Sequence, residues 1–164
     1  MVASSHETIW WSRGEKAKAT ENGGGTRKAA TGRRAALPEN DAVEFLVITS
    51  RGRKRLIVPK GWPIAGKHDA RAAAIEAKEE AGVKGRVDTE PFGTFDYSKD
   101  IGDIAVSVSA AVFPLRVEKL KEAYKERGER KRRWMSAEEA AEKLDDSGLR
   151  QLVRRYAARL ERLE

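Results

Sequence analysis

Glu76, Glu79 and Glu80 stand at i, i+3 and i+4 of one short stretch, so a helix brings all three carboxylates to one face. Like charges at that spacing repel by about 0.2–0.5 kcal/mol per pair, a cost that solvation or a neighbouring Lys78 or Arg71 absorbs. An acidic face of this kind is ordinarily just solvated. What marks this one is the loop ahead of it, where Pro59, Gly61, Pro63 and Gly66 break the backbone in quick succession. A broken loop feeding a helix with stacked carboxylates can hold hard divalent cations through oxygen ligands and leave room for phosphate and water. The helix itself is legible. Asp69 is the expected N-cap, the alanines between Ala70 and Ala77 are strong helix formers, and Gly82 stands where a left-handed residue would end the helix.

Residues Gly61 to Val83 resemble the Nudix box, whose pattern is G-x5-E-x7-R-E-U-x-E-E-x-G-U with U a bulky apolar residue. Gly61, Glu76, Glu79, Glu80, Gly82 and Val83 fall on its spacing, and Ala77 is a small version of an apolar position. Two positions depart: Lys67 replaces a glutamate and Ile75 replaces an arginine. In the family that arginine helps to orient the glutamates. The resemblance implies an α/β/α sandwich with a mixed β-sheet and a phosphoanhydride hydrolase dependent on Mg²⁺, with Mn²⁺ as a substitute. It further implies Glu76 and Glu80 as metal ligands, assisted by the Gly61 carbonyl. Glu79 is the expected base toward water, with Glu76 or a loop acid such as Asp100 as alternatives.

A narrower resemblance rests on Glu79 to Gly85, Ile48 to Arg51, Arg130 to Trp134 and Arg34-Ala35-Ala36. These runs are similar to the diphosphoinositol polyphosphate phosphohydrolase branch, which implies a diphosphoinositol polyphosphate or dinucleoside polyphosphate as substrate. On that reading Arg34, Arg51 and Lys131 grip phosphates, with Lys99 as a loop candidate. Trp62 either stacks on a base or covers the loop. Lys60 departs from the branch, standing where its eukaryotic members carry glycine before Gly61. The competing readings are a nucleoside triphosphate or nucleotide-sugar pyrophosphatase, a nucleotide or RNA-end binder without turnover, and an adaptor for an acidic partner. The binder is suggested by Lys67 and Ile75, whereas the adaptor leaves the three glutamates unexplained.

Composition narrows the classes. The chain has 164 residues, enough for one domain, and no cysteine, so thiolate metal sites and disulfides are excluded. A reducing cytoplasm is the expected setting. No apolar run is long enough for a signal peptide or membrane span. The net charge is +7. Seven basic and three acidic residues among 1–34 supply more than half of it, so the remainder is nearly balanced, which argues against a dedicated nucleic-acid module. Residues 1–32, with Gly23-Gly24-Gly25 and few apolar positions beside Trp10-Trp11, read as a disordered basic tail before a domain spanning 33–164.

The elements that must position the glutamates follow from periodicity. Strands are expected at Arg33–Leu37, Val43–Thr49 and Leu56–Val58, mixed strand and turn across Arg86–Thr94, and a period-two strand from Ile104 to Val112. Val117, Leu120 and Tyr124 have helical spacing within 116–129, and Arg130–Met135 suits an edge strand. Ser136 and Glu139 form a capping box for a helix through Leu144. A last helix turns Leu149, Leu152, Val153, Tyr156 and Leu160 inward and Arg150, Arg154, Arg155 and Arg159 outward.

Overall fold

Phe45, Leu46, Val47 and Ile48 are consecutive apolar residues, and a strand sends successive side chains to opposite faces. Such a strand must be covered on both sides. The computed structural model, which describes residues 6–9, 43–101 and 103–162, has that arrangement. Phe45 and Val47 enter one core with Phe95, Val112, Met135, Leu149, Leu152 and Val153. Leu46 and Ile48 enter a second core with Ala77, Ala81, Val83, Leu115 and Val117. Each of these four side chains is almost completely buried, worth about 1.5–3 kcal/mol apiece relative to exposure. Helices thus cover the strands on both sides, and the layers are those of an α/β/α sandwich.

In chain order the elements are β1 (His6–Ile9), β2 (Glu44–Thr49), β3 (Leu56–Ile57), α1 (Asp69–Ala81), β4 (Val83–Val87), β5 (Gly93–Ile101), β6 (Ile104–Val112), β7 (Leu115–Leu120), β8 (Arg132–Ser136), α2 (Ala137–Lys143) and α3 (Ser147–Glu161). Strands β1, β6 and β5 form a mixed sheet, with β1 parallel and β5 antiparallel to β6. A second sheet has the order β3-β2-β8, all antiparallel, and β4 pairs with β7. Helix α1 packs on the second core, and α2 with α3 close the first. The capping box is present, with Ser136 Oγ accepting from the Glu139 amide at 3.2 Å. Helix α3 buries Leu149, Leu152, Val153, Ala157 and Leu160, as its apolar spacing requires. Among the described residues no helix is long and apolar enough to cross a membrane.

Three expectations need correction. The N-cap of α1 is His68, not Asp69: His68 Nδ1 accepts from the Ala70 amide at 3.3 Å, and Asp69 becomes the first helical residue. There its charge still faces the positive helix end. Residues 116–129 are not helical. Leu115–Leu120 is a strand, because Leu115 and Val117 point into the second core at strand spacing and pair with β4 across a bulge at Lys84/Gly85. The charged residues that follow form a looped connection. Finally, residues 1–32 are not tail throughout, since His6–Ile9 lies parallel to Ser109–Val112 along β6. Backbone pairing to an open sheet edge supplies what the scarcity of apolar side chains does not. The rest of the proposed tail, Trp10-Trp11 included, and the Arg33–Leu37 strand lie outside the described residues.

If β1 closes the edge of β6, a chain beginning at residue 10 should melt several degrees below the full chain, at about 2–4 °C per kcal/mol for a domain of this size. Scanning calorimetry of the two chains checks this; identical midpoints would show that β1 contributes nothing to stability.

Candidate active site

Helix α1 turns Ala70, Ala73, Ala77 and Ala81 to the strands, and its last turn carries Glu80 down with them to 6% exposure. Glu76 and Glu79 remain half-buried on the same side. The helix must stop at once, because β4 begins at Val83. Gly82 does this with φ 65°, its amide donating to the Ala77 and Lys78 carbonyls. A Cβ there would also lie 2.7 Å from the Tyr124 ring, so both conformation and space demand glycine.

Ahead of the helix, the loop from Pro59 brings its backbone against the carboxylates. The Lys60 amide donates to Glu80 Oε2 at 3.1 Å. A Cβ on Gly61 would sit 2.2 Å from Glu76 Cδ, so any larger residue here would displace the Glu76 carboxylate. Gly61 and the three glutamates open onto a cavity of about 730 Å³, whose walls also include Arg51, Lys60, Trp62, Lys99, Lys125, Glu126 and Arg130. A second recess of about 400 Å³ shares Ile57, Lys60 and Lys99 with it and continues to Phe95, Tyr97, Asp100, Asp145 and Asp146. The Lys60 ammonium lies 3.6 Å from the centre of the Tyr97 ring.

Cations hold two of the glutamates. Arg130, itself buried, places Nη2 2.5 Å from Glu80 Oε1 and Nε 2.5 Å from Glu126 Oε2, while its Nη1 donates to the Thr49 carbonyl at 3.1 Å. Burial pushes the Glu80 carboxyl up to about 7, against the opposing pull of Arg130 and of the Lys60 amide. Lys125 Nζ lies 2.5 Å from Glu79 Oε2, and this hydrogen bond and charge hold the ammonium above the usual lysine range. The Glu126 amide donates to the Glu79 carbonyl, which docks this connection onto α1.

Of the residues expected from sequence, the fold gathers Gly61, Trp62, Glu76, Glu79, Glu80, Arg51 and Lys99 around one cavity. Lys99 and Asp100 belong to strand β5 rather than to a loop, because their backbones pair with Val106 and Ala105. Trp62 is 40% exposed, with Lys99 Nζ 4.5 Å from the centre of its ring. Lys131 is exposed and does not line the cavity; its amide donates to Thr49 Oγ1 as β8 approaches β2. Arg34 lies outside the described residues. Lys60, Lys125, Glu126 and Arg130 were not foreseen as site residues. Lys60 was visible only as a departure from a pattern, and the other three depend on how the β7–β8 connection folds back.

The donor set is carboxylate and carbonyl oxygen, the chemistry that suits Mg²⁺ or another hard divalent cation. Among the described residues no three carboxylates or imidazoles converge on one point, since Glu79 is turned to Lys125 and Glu80 to Arg130.

No family model matches the chain. It is 35% identical over 104 residues to Nudix hydrolase 12, mitochondrial, of Arabidopsis thaliana, covering 61% of this chain and 51% of that protein. To Nudix hydrolase 17, mitochondrial, of the same plant it is 36% identical over 108 residues, covering 65% and 57%. The chain therefore spans little more than half the length of the curated relatives it matches. In structure it is similar to a Nudix hydrolase from Nitrosomonas europaea, with a TM-score of 0.63 at 14% identity over 94% of this chain and 89% of that one. It is also similar to an Ap4A hydrolase of C. elegans, with a TM-score of 0.57 at 18% identity over 98% and 99%. These two likenesses are of fold, and the Arabidopsis relatives add likeness of sequence. Together they show that the chain has the fold of the Nudix hydrolases and is similar to them in sequence over about three fifths of its length.

Proposed function

We propose that the protein hydrolyses a phosphoanhydride bond in a polyphosphorylated small molecule, assisted by Mg²⁺ or Mn²⁺. The observation that carries this reading is one cavity lined by four carboxylates, Glu76, Glu79, Glu80 and Glu126, together with the cations Arg51, Lys60, Lys99 and Lys125. Carboxylates alone would repel a polyphosphate, and cations alone would bind it without chemistry. Glu76 and Glu80 would hold the divalent ion, with the Gly61 carbonyl as a further oxygen. When bound, the ion neutralises phosphate charge and lowers the pKa of the attacking water.

The chain's own groups do the rest. Arg51, Lys60 and Lys99 draw the phosphates into the cavity and orient the scissile anhydride. Glu79 takes the proton as water oxygen bonds to phosphorus and the bridging P–O bond breaks, releasing a phosphate-bearing product. To do so, its carboxylate must exchange Lys125 for water.

A diphosphoinositol polyphosphate or a dinucleoside polyphosphate is the favoured substrate. The second recess beside the cavity gives an extended molecule somewhere to place its far end, and the C. elegans neighbour in fold is an Ap4A hydrolase. A nucleoside triphosphate is the second reading, favoured by the exposed Trp62 ring.

Phosphate release from nucleotides, dinucleoside polyphosphates and inositol pyrophosphates, with and without Mg²⁺, tests the activity directly. Glu80→Gln, which keeps the side-chain shape, should lower turnover at least ~10²-fold at saturating Mg²⁺; full activity would remove Glu80 from the site. Lys125→Met should lower the Mg²⁺ concentration for half-maximal rate about two- to five-fold, since an exposed competing cation is modest in effect. A raised Mg²⁺ requirement would instead give Lys125 a supporting role. Arg51→Ala should raise KM for the longer polyphosphates tenfold or more, the scale of one charge-assisted contact worth about 1.5–3 kcal/mol, and affect a nucleoside triphosphate less. Trp62→Ala should show the reverse bias. Equal damage to every substrate by Trp62→Ala and none by Arg51→Ala would favour the nucleoside triphosphate.

A further inference from the structure

Glu80 is a carboxylate beneath the surface on the last turn of a helix, beside Glu79 and one turn from Glu76. Three acids this close do not hold one arrangement unless something outside the helix fixes them. Position 75, on the same helix, brings no charge. Ile75 lines a separate recess of about 290 Å³ with Lys78, Glu79, Lys121, Tyr124 and Lys125.

Arg130 is placed to do it. It comes from 50 residues downstream, is 7% exposed, and directs its planar donors to three different segments: Glu80 on α1, Glu126 in the β7–β8 connection and the Thr49 carbonyl at the end of β2. A guanidinium fork fixes the plane of the carboxylate it meets, which an ammonium cannot do. With Nε, Nη1 and Nη2 all engaged by the protein, Arg130 has little left to offer a substrate. Arg51, two residues beyond Thr49, is the opposite case, exposed at the cavity mouth with only loose pairing at 3.8 Å to Glu126 and 3.7 Å to Glu129.

We propose that Arg130 is a positioning residue. It sets the orientation of Glu80, and through Glu126 and Thr49 it ties the carboxylate cluster to the strand end that carries Arg51. The inference rests on the hydrolase reading above for its kinetic arm and on metal binding for the other.

The test uses the full chain with Arg130→Lys, which keeps the charge and loses the fork, and Arg130→Gln, which loses both. Mn²⁺ binding without substrate is followed by electron paramagnetic resonance, and kcat and KM are measured at saturating Mg²⁺, well below the melting midpoint. Loss of a partner that orients a ligand typically costs 10–100-fold in metal affinity or activity. Arg130→Lys should therefore weaken Mn²⁺ binding and lower kcat about tenfold, with KM for substrate within about twofold, and Arg130→Gln should do more. Wild-type Mn²⁺ affinity and kcat in Arg130→Lys would overturn the proposal even if Arg130→Gln fails to fold. So would a change confined to KM, which would make Arg130 a substrate contact. A wild type that binds Mn²⁺ but hydrolyses nothing would overturn the hydrolase reading alone and leave the Mn²⁺ arm to decide this one. A wild type that binds no Mn²⁺ would overturn both.

Discussion

A carboxylate removed from water has to be compensated, and the Glu80–Arg130 pair is the point at which this fold meets that demand. Desolvating the two charges costs several kcal/mol each unless their remaining lone pairs and protons find partners. Here they do: the Lys60 amide takes the second oxygen of Glu80, while Glu126 and the Thr49 carbonyl take the remaining directions of Arg130. The loop before α1, the helix itself, the end of β2 and the β7–β8 connection therefore meet at one ion pair. Removing a single partner would strand a buried charge, so these segments are held together more firmly than their loop character suggests.

The two apolar cores leave room for that arrangement. Strand β2 divides its side chains between them, and just past its end Ser50 lines the second recess and Arg51 the main cavity. On the other side, the alanines of α1 lie against the strands, and Glu80 descends with them. The cleft is thus a boundary between a helix and a strand end, both anchored in apolar packing, and a loop tied to the helix through the Lys60 amide.

Much of this was legible in the sequence. The glutamate spacing, the helix stop at Gly82, strands β2, β6 and β8, and both C-terminal helices follow from local pattern, because each is set by residues within a few positions of one another. What was not legible depends on distant pairing. Val117 looks helical when Leu120 and Tyr124 are counted with it, until the strand partner β4 is known. His6–Ile9 has little apolar character and finds its place only along the edge of β6. Arg130, Glu126 and Lys125 read as a solvated charged run because nothing nearby in sequence signals that the connection folds onto α1. Lys131 has the charge to grip a phosphate but does not line the cavity, whereas its neighbour Arg130 lines it and is engaged by Glu80, Glu126 and the Thr49 carbonyl.

Lys60 joins the two recesses in an unusual way: its amide serves Glu80 and its side chain lies over Tyr97. Any residue except proline provides that amide. The side chain at position 60 is therefore chemically separable from the carboxylate arrangement. Substitution there is a route by which a lineage could change what the neighbouring recess accepts while leaving the acidic cluster as it was, so divergence in selectivity would be expected at this position before divergence in chemistry.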